Sequence, residues 1–512
     1  MNHRAPVIGI DLGTTFSTCA VLGASGDPQT VTTPDGERHV PSVVAFDGER
    51  VLVGNRAKAI LTNHPDRVIE HSKRFMGERM LPKLIDGRSY APEVIGGIIL
   101  SQLRSNLARK LDSCDRAVVT VPAYFDEVRR RATQDATWMA GLEVLELLNE
   151  PTAAAIAFGY HQGFMEGEEM LAGRARQVLV YDLGGGTFDV TLMRIDGDDY
   201  HVLATDGDSR LGGIDWDQRL VDLVAERWIH ERDSDPREEP RTLAQLETAC
   251  ERAKQTLSQR NKAELTIIPE REKSFTMTVT REMFEEATAD LVERTRFTMS
   301  EVLREAGVAW RNIDRVLLTG GSTRMPMIRE MVDRISGKRA DTSIAPDEAV
   351  AHGAAIRAGL IESERIGERP QYRITNVNSH TLGVVGIDHE TGRRRVGPII
   401  RRNTPLPVAK RRTFQTSRAD QHTLQIEVVE GENLNPDACT LIGCCQIRNL
   451  PPGLPAATPV VIRFRYAVDG RLEVNVQLAE LSKETSVVFQ RASGLPKEEL
   501  ESWRRWISGE GC

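Results

Sequence analysis

The stretch Val180-Tyr-Asp-Leu-Gly-Gly-Gly-Thr-Phe-Asp-Val190 repeats, in reworked form, the stretch Ile8-Gly-Ile-Asp-Leu-Gly-Thr-Thr-Phe-Ser-Thr18. In both copies an apolar run ends at Asp-Leu-Gly, a Gly/Thr turn follows, and a second mostly apolar run resumes. That pattern reads as a β-hairpin with a tight polar tip. Such a tip suits phosphate: Gly13, Gly184, Gly185 and Gly186 let backbone N–H groups close on an anion, and Thr14, Thr15 and Thr187 add hydroxyl donors. Asp11 and Asp182 stand where a carboxylate can hold Mg²⁺ through water. One Gly-rich turn alone is an ordinary hairpin. Two copies with Asp, Gly and Thr in register imply two facing half-sites.

The chain has 512 residues, enough for about three domains with substantial cores. A composition of 40% hydrophobic and 27% charged residues is that of a globular protein. The net charge of −8 gives no reason to expect nucleic acid or an anionic membrane as a partner. Cys19, Cys114, Cys250, Cys439, Cys444, Cys445 and Cys512 form no Cys-x-x-Cys pair, so a reducing, cytoplasmic location is expected. Cys439, Cys444 and Cys445 lack a His at metal-site spacing and read as buried or incidental. No apolar stretch reaches membrane-spanning length.

Strand-like and helical runs alternate to about residue 360, an α/β pattern. Beyond it come short alternating strands such as Thr423-Leu-Gln-Ile-Glu-Val-Val429, punctuated by Gly, Asn and Pro, which read as an all-β domain. Leu495 to Ser508 reads as one short helix, with Pro496 at its start and Gly509 after its end. The expected division is 1–365, a linker at 366–378, a β-sandwich at 379–492 and a C-terminal segment at 493–512.

A third glycine turn follows the buried strand Arg315-Val-Leu-Leu-Thr319. Gly320-Gly-Ser-Thr-Arg324 leads it into a helix whose N-terminus can face an anion or a nucleotide's sugar. No Gly-x4-Gly-Lys-Ser/Thr pattern occurs, so opposed hairpins in a cleft must hold the phosphates, as in actin-like ATPase folds.

Six motifs then occur in one order: Ile10-Asp-Leu-Gly-Thr-Thr15, Val121-Pro-Ala-Tyr-Phe125, Asn149-Glu-Pro-Thr-Ala-Ala-Ala155, Asp182-Leu-Gly-Gly-Gly-Thr-Phe-Asp189, Leu211-Gly-Gly-Ile-Asp215 and Pro346-Asp-Glu-Ala-Val-Ala-His-Gly-Ala-Ala355. They closely resemble the DnaK-type heat-shock chaperones over roughly residues 6 to 360. In the β region Pro398-Ile-Ile-Arg-Arg-Asn-Thr-Pro-Leu-Pro407 and Val429-Glu-Gly-Glu-Asn433 look like the family's peptide-binding domain. In detail the chain resembles the divergent HscC branch more than DnaK. The resemblance implies an actin-like, duplicated (RNase H-like) ATPase domain followed by a smaller β-sandwich and a short C-terminal helix. It also implies ATP and Mg²⁺, unfolded or extended polypeptide clients, and J-domain and nucleotide-exchange co-chaperones as partners.

On this resemblance Thr14 and Thr15, with Phe16 beside them, hold the β- and γ-phosphates, and Asp11 and Asp182 orient the Mg²⁺ waters. Lys73, in Ser-Lys-Arg-Phe-Met-Gly, matches the catalytic lysine, and Glu150, Thr187 and Asp189 match the water- and metal-positioning residues. Taken alone, Lys73 would be an ordinary surface lysine and Asp189 an ordinary turn residue. Glu251, Lys254 and Ser258, spaced three and four apart on one helix face, match the ribose and base site. Gly320, Gly321 and Ser322 form its turn, Arg324 would stack on adenine, and Asp347 would close it. Gln255 stands where some members carry a second stacking arginine.

The C-terminal half departs more. The linker segment Tyr372-Arg-Ile-Thr375 has one aliphatic residue, Ile374, where the family has leucines that dock on the ATPase domain, so weak interdomain coupling is expected; Pro151 and Arg130 match the family's relay positions. After residue 508 nothing resembles the family's helical lid, and about 13 helical residues span only about 20 Å, so a peptide would bind under an open roof. Val384, Ile387, Phe414, Leu424 and Ile426 match the family's peptide pocket, and as residue types would also suit a plain β-core. Arg393–Arg395, Arg401–Arg402 and Lys410–Arg412 form a basic surface that would suit acidic clients or RNA, or simply be solvated. An actin-like sugar kinase would share the phosphate hairpins but not the β-domain; a filament-forming actin relative would also lack it.

Overall fold

The computed structural model describes residues 7–23, 25–48, 50–111, 115–161, 175–270, 273–367, 372–448, 450–467, 472–478, 489–491 and 494–509. Cys114, Cys512, residues 368–371 of the expected linker and 479–488 of the expected sandwich lie outside the described residues.

Ile8–Leu12 (β1) and Phe16–Leu22 (β2) form an antiparallel hairpin, from Ile8 opposite Val21 to Leu12 opposite Ser17. Pro28–Thr30 (β3) extends the sheet on one side, and Arg116–Val121 (β4) and Glu143–Asn149 (β5) extend it in parallel on the other, giving the order β3-β2-β1-β4-β5. The same design recurs in a second lobe. Arg176–Leu183 (β6) and Phe188–Asp196 (β7) form the hairpin, Asp199–Asp208 (β8) lies outside it, and Arg315–Thr319 (β9) pairs with β6 in parallel.

Parallel neighbours require helical crossovers. Glu127–Met139 (α2) joins β4 to β5 and packs on Pro92–Ala108 (α1). Glu150–His161 (α3) lies between the lobes, Pro240–Leu257 (α4) packs on the second lobe's strand Lys262–Ile267, and Ala349–Arg365 (α5) crosses α3. Small residues set that crossing: a Cβ at Gly353 would fall 1.8 Å from the Ala153 carbonyl oxygen, and one at Gly9 would fall 2.1 Å from the Ala355 nitrogen. With the backbones this close, the two lobes are held at a fixed angle, tip toward tip.

Arg373–Thr375 (β10) adds a parallel strand to the outer edge of β8, Tyr200 lying opposite Ile374. This corrects the expectation that Ile374 alone could bury apolar surface here. Tyr372 is 2% exposed, with its ring 5.5 Å from that of Tyr200. Arg373, read as a polar interruption, pairs with Asp199 at 2.8 Å. The segment is therefore anchored by an aromatic and by backbone pairing rather than by a row of leucines.

The rest is a two-sheet sandwich. Leu382–Ile387 (β11), Arg394–Ile400 (β12), Val408–Gln415 (β13), Thr423–Glu430 (β14), Thr440–Arg448 (β15), Pro459–Tyr466 (β16), Leu472–Leu478 (β17) and Phe489–Arg491 (β18) form one sheet ordered β12-β11-β14-β15-β18 and a second ordered β13-β16-β17. Alternation buries Val460, Ile462, Phe464 and Tyr466 of β16 and leaves Arg463 and Arg465 outside.

The sandwich packs against the two-lobed body. Arg402 reaches Asp206 at 3.0 Å and Glu305 at 3.1 Å, Asn403 donates to Glu305 at 2.6 Å, and the Ser379 hydroxyl donates to the Ala123 carbonyl. The His380 ring packs at a tilt against Tyr124 with ring centres 4.2 Å apart. Buried Glu430 accepts the Glu127 N–H at 2.9 Å beside Asp126. Lys497–Ser508 (α6) does not sit over the sandwich. Leu500, Trp503 and Ile507, one face of an amphipathic helix, pack on α1 and α2 instead, with Trp503 5.9 Å from Tyr90 and Arg504 4.4 Å over Trp138.

Two outcomes follow from these contacts. Tyr372→Ala removes a fully buried aromatic, a change that costs about 3–5 kcal/mol, so the amides of Arg373–Thr375 should exchange with deuterium at least about a hundredfold faster; unchanged protection would show that Tyr372 does not hold the strand. Burial, with Asp126 adding, raises the Glu430 carboxyl well above its usual range in the packed form. Packing therefore takes up a proton: it is strongest below the ordinary glutamate pKa and weakens as pH rises through the raised value. Fluorescence transfer between dyes on the two halves should fall with rising pH, and Glu430→Gln should abolish that fall. A pH-independent wild type would refute it.

Candidate functional site

The hairpin tips meet across the cleft between the lobes. A Cβ at Gly185 would fall 2.5 Å from the Thr15 side chain, and one at Gly186 would fall 2.5 Å from Thr14. Only glycine fits where one tip closes on the other. At the third turn Gly320 adopts φ +83°, and a Cβ there would meet the Leu183 carbonyl at 2.4 Å. The cleft so enclosed has a volume of about 880 Å³.

Nearly all the residues expected at this site line that cleft: Asp11, Gly13, Thr14, Thr15, Phe16, Lys73, Glu150, Asp182, Gly184, Gly185, Thr187, Glu251, Lys254, Ser258, Gly320, Gly321, Ser322, Arg324 and Asp347. Gly186 lies behind the wall against Thr14, and Asp189, also behind it, accepts the Tyr124 N–H at 2.9 Å.

At the floor the Lys73 ammonium donates to Glu150 Oε1 at 2.6 Å, both groups being buried. Thr120 donates to Asp11 Oδ1 at 3.1 Å. Burial, reinforced by Glu150, pushes the carboxyls of Asp11 and Asp189 up to about 7, and holds that of Asp182 well above the usual range. Asp182 Oδ2 is buried without a hydrogen-bond partner. An orphaned carboxylate oxygen among further buried carboxylates, with one ammonium between them, fits a hard divalent cation. No group of three or more His, Cys, Asp or Glu among the described residues converges to chelate a metal directly.

On the far wall Lys254 donates to Asp217 at 2.6 Å and to the Gly213 carbonyl at 2.9 Å, and Ser258 follows the last turn of α4. Arg324 and Asp347 pair with each other at 2.5 Å on the rim. Four neighbours escaped the sequence reading. Lys58 reaches across the mouth to Glu251 at 2.7 Å, tying the lobes together. Arg74, next to Lys73, donates to the Gly186 carbonyl at 3.1 Å and pairs with Asp215, bracing the second tip. Glu70 is pushed up to about 7 by burial. His71, in the left-handed conformation at φ 58°, is pushed down to about 4 by burial and by Arg74. Polar residues flanking Lys73 were the only available signal.

The expected peptide-pocket residues do not gather equally. Val384 and Ile426 are part of the sandwich core, Phe414 and Leu424 pack half-buried against it, and Ile387 is 57% exposed at the end of β11. Among the cysteines, Cys445 is buried and Cys439 and Cys444 are half-buried, all as free thiols. No helix of the described residues is long and apolar enough to cross a membrane.

The sequence profile of the family described as Hsp70 protein matches residues 7–88 and 80–506. The chain is 36% identical over 501 residues to Chaperone protein DnaK of Metamycoplasma hominis, covering 97% of this chain and 81% of that protein. It is 35% identical over 527 residues to Chaperone protein DnaK of Deinococcus proteolyticus, covering 97% of this chain and 80% of that protein. A duplicated lobe with apposed phosphate-type hairpins, a β-sandwich behind it and matches over nearly the whole length lead to one conclusion: this chain belongs to the Hsp70 family.

Proposed function

We propose that the cleft hydrolyses ATP through Lys73, Glu150 and the carboxylates of the two hairpins, and that the sandwich holds extended, partly apolar polypeptide segments. As a member of the Hsp70 family the protein is an ATP-dependent chaperone and an ATPase; the residue assignments are our reading. The observation that carries them is the buried Lys73–Glu150 pair at the foot of two glycine tips, beside an unpartnered carboxylate oxygen of Asp182.

The N–H groups and hydroxyls of Gly13–Thr15 and Gly184–Thr187 bind the β- and γ-phosphates. Asp11 and Asp182 would hold Mg²⁺ through its waters, with Asp189 supporting them from behind the wall, and the ion would supply charge neutralisation to the phosphates. Glu150 orients the attacking water and accepts its proton. Lys73 sits where an ammonium offsets charge on the transferring phosphoryl group as the bond to ADP breaks. Glu251, Lys254 and Ser258 contact the ribose and base, and Arg324 covers the adenine face once it leaves Asp347. Lys58–Glu251 closes the mouth behind the nucleotide. J-domain and nucleotide-exchange partners belong to the same reading.

Lys73→Ala should retain ADP binding but lose turnover by on the order of a hundred- to a thousandfold, since it removes charge stabilisation present only in the transition state. Single-turnover hydrolysis together with nucleotide titration separates the two effects. Full turnover by Lys73→Ala would refute the assignment; loss of both binding and turnover would place Lys73 in ground-state binding instead.

A further inference from the structure

Between residues 382 and 430 the sandwich carries nine Lys and Arg side chains against five carboxylates, in a chain of net charge −8. Several of these charges are already engaged. Arg402, expected on a basic surface, is committed to Asp206 and Glu305 at the interface with the two-lobed body. Arg394 pairs with Glu427 at 2.5 Å and Arg395 with Asp388 at 3.0 Å, while Glu430 is buried at that same interface. Lys410, Arg411 and Arg412 of β13 and Arg463 of β16 have no carboxylate partner among the described residues.

Their register is informative. In the β13–β16 pair Lys410 lies opposite Phe464, Arg412 opposite Ile462 and Phe414 opposite Val460. Directly opposed residues share a face, so Lys410 and Arg412 point to the side on which Phe464 and Ile462 are buried. Both are nevertheless exposed. The facing sheet therefore leaves Lys410 and Arg412 uncovered, and the sandwich is open along this part of its edge. At its lip the Arg412 guanidinium stands 5.5 Å over the Phe414 ring and donates to the Pro398 carbonyl at 3.1 Å, and Phe414 packs where a Cβ on Gly397 would come within 2.6 Å of it. On the outer face Arg411 lies directly opposite Arg463. Like charges in that position repel and weaken the sheet, and neither side chain pairs with a carboxylate among the described residues. Among the described residues β13 is also an edge strand, whose backbone can pair with an extended chain.

We infer that this edge selects extended polypeptide segments in which a short apolar stretch is flanked by Asp or Glu. The apolar side chains lie on Phe414, and the flanking carboxylates meet Lys410 and Arg412 within the lip and Arg411 and Arg463 outside it. The inference rests on the sandwich being the client-binding domain. An extended peptide is favoured over nucleic acid because an edge strand offers backbone pairing and Phe414 provides a single apolar contact, not a row of stacking platforms.

The test uses the full chain and three labelled peptides with one Leu-Leu-Val core, flanked by Asp, by Ser or by Lys, measured by fluorescence anisotropy at low and high salt. The Asp-flanked peptide should bind about tenfold tighter than the Lys-flanked one at low salt, and the ratio should shrink as salt screens the exposed charges. Lys410→Glu with Arg412→Glu should reverse the order. The salt dependence of the wild type supports the inference even if that variant fails to fold. Equal binding of the three peptides, or tighter binding of the Lys-flanked one, would overturn the charge selectivity and leave the client-binding reading intact. Failure of all three to bind would overturn that reading and this inference with it, and preferential binding of a single-stranded RNA oligonucleotide would reassign the edge to nucleic acid.

Discussion

At the floor of the cleft Glu150, Asp182 and Asp189 are buried, with Asp11 half-buried beside them, around the Lys73 ammonium. Most of the structure can be understood from that imbalance. Carboxylates away from water are costly in their charged form, so burial, with Glu150 adding, drives Asp11, Asp182 and Asp189 toward protonation. Because their pKa values are raised on folding, these groups favour the folded chain when protonated, and Asp11 and Asp189 lose that contribution as pH rises through about 7. A divalent cation with a polyphosphate removes that penalty. Nucleotide binding would then be favoured by the charge it balances in the cleft, and the lobes would gain a reason to close.

Closure is where the duplication has its effect. Two hairpins related by the repeat can touch at their tips only if one is glycine where the other is threonine, which is the arrangement of Gly185 and Gly186 against Thr15 and Thr14. The angle between the lobes is set at the other end by the crossing of α3 and α5, where Gly353 admits the Ala153 carbonyl. Lys58–Glu251 spans the mouth. A change of a few degrees at the crossing would therefore alter the phosphate tips and the mouth together. The same second lobe offers the edge of β8 to Tyr372–Thr375 and the carboxylates of Asp206 and Glu305 to Arg402. The sandwich is thus attached to both lobes, to the second through Arg402 and to the first through Ser379, His380 and Glu430.

Much of the site was legible because its parts are local. Both hairpins, the Gly320 turn and the face of α4 are each specified within about a dozen consecutive residues, and glycines mark them. What could not be read depends on partners distant in sequence. Tyr372 looked like one aromatic in a polar tetrapeptide, and its burial requires Tyr200 on a strand far upstream. Arg402 looked like part of a basic surface because nothing nearby shows that Asp206 and Glu305 await it. The amphipathic face of α6 was visible, but its destination on α1 and α2 was not.

The claim that the cleft is electrostatically completed by Mg²⁺ and nucleotide is tested most directly by the protons that leave on binding. Calorimetric titration with MgADP at pH 7, in buffers of different ionisation enthalpy, measures them. With Asp11 and Asp189 raised to about 7 in the empty cleft, binding should release on the order of one proton at that pH and progressively fewer as pH rises above it. Binding enthalpies identical in every buffer would mean that these carboxylates are already ionised without the metal, and would contradict the account.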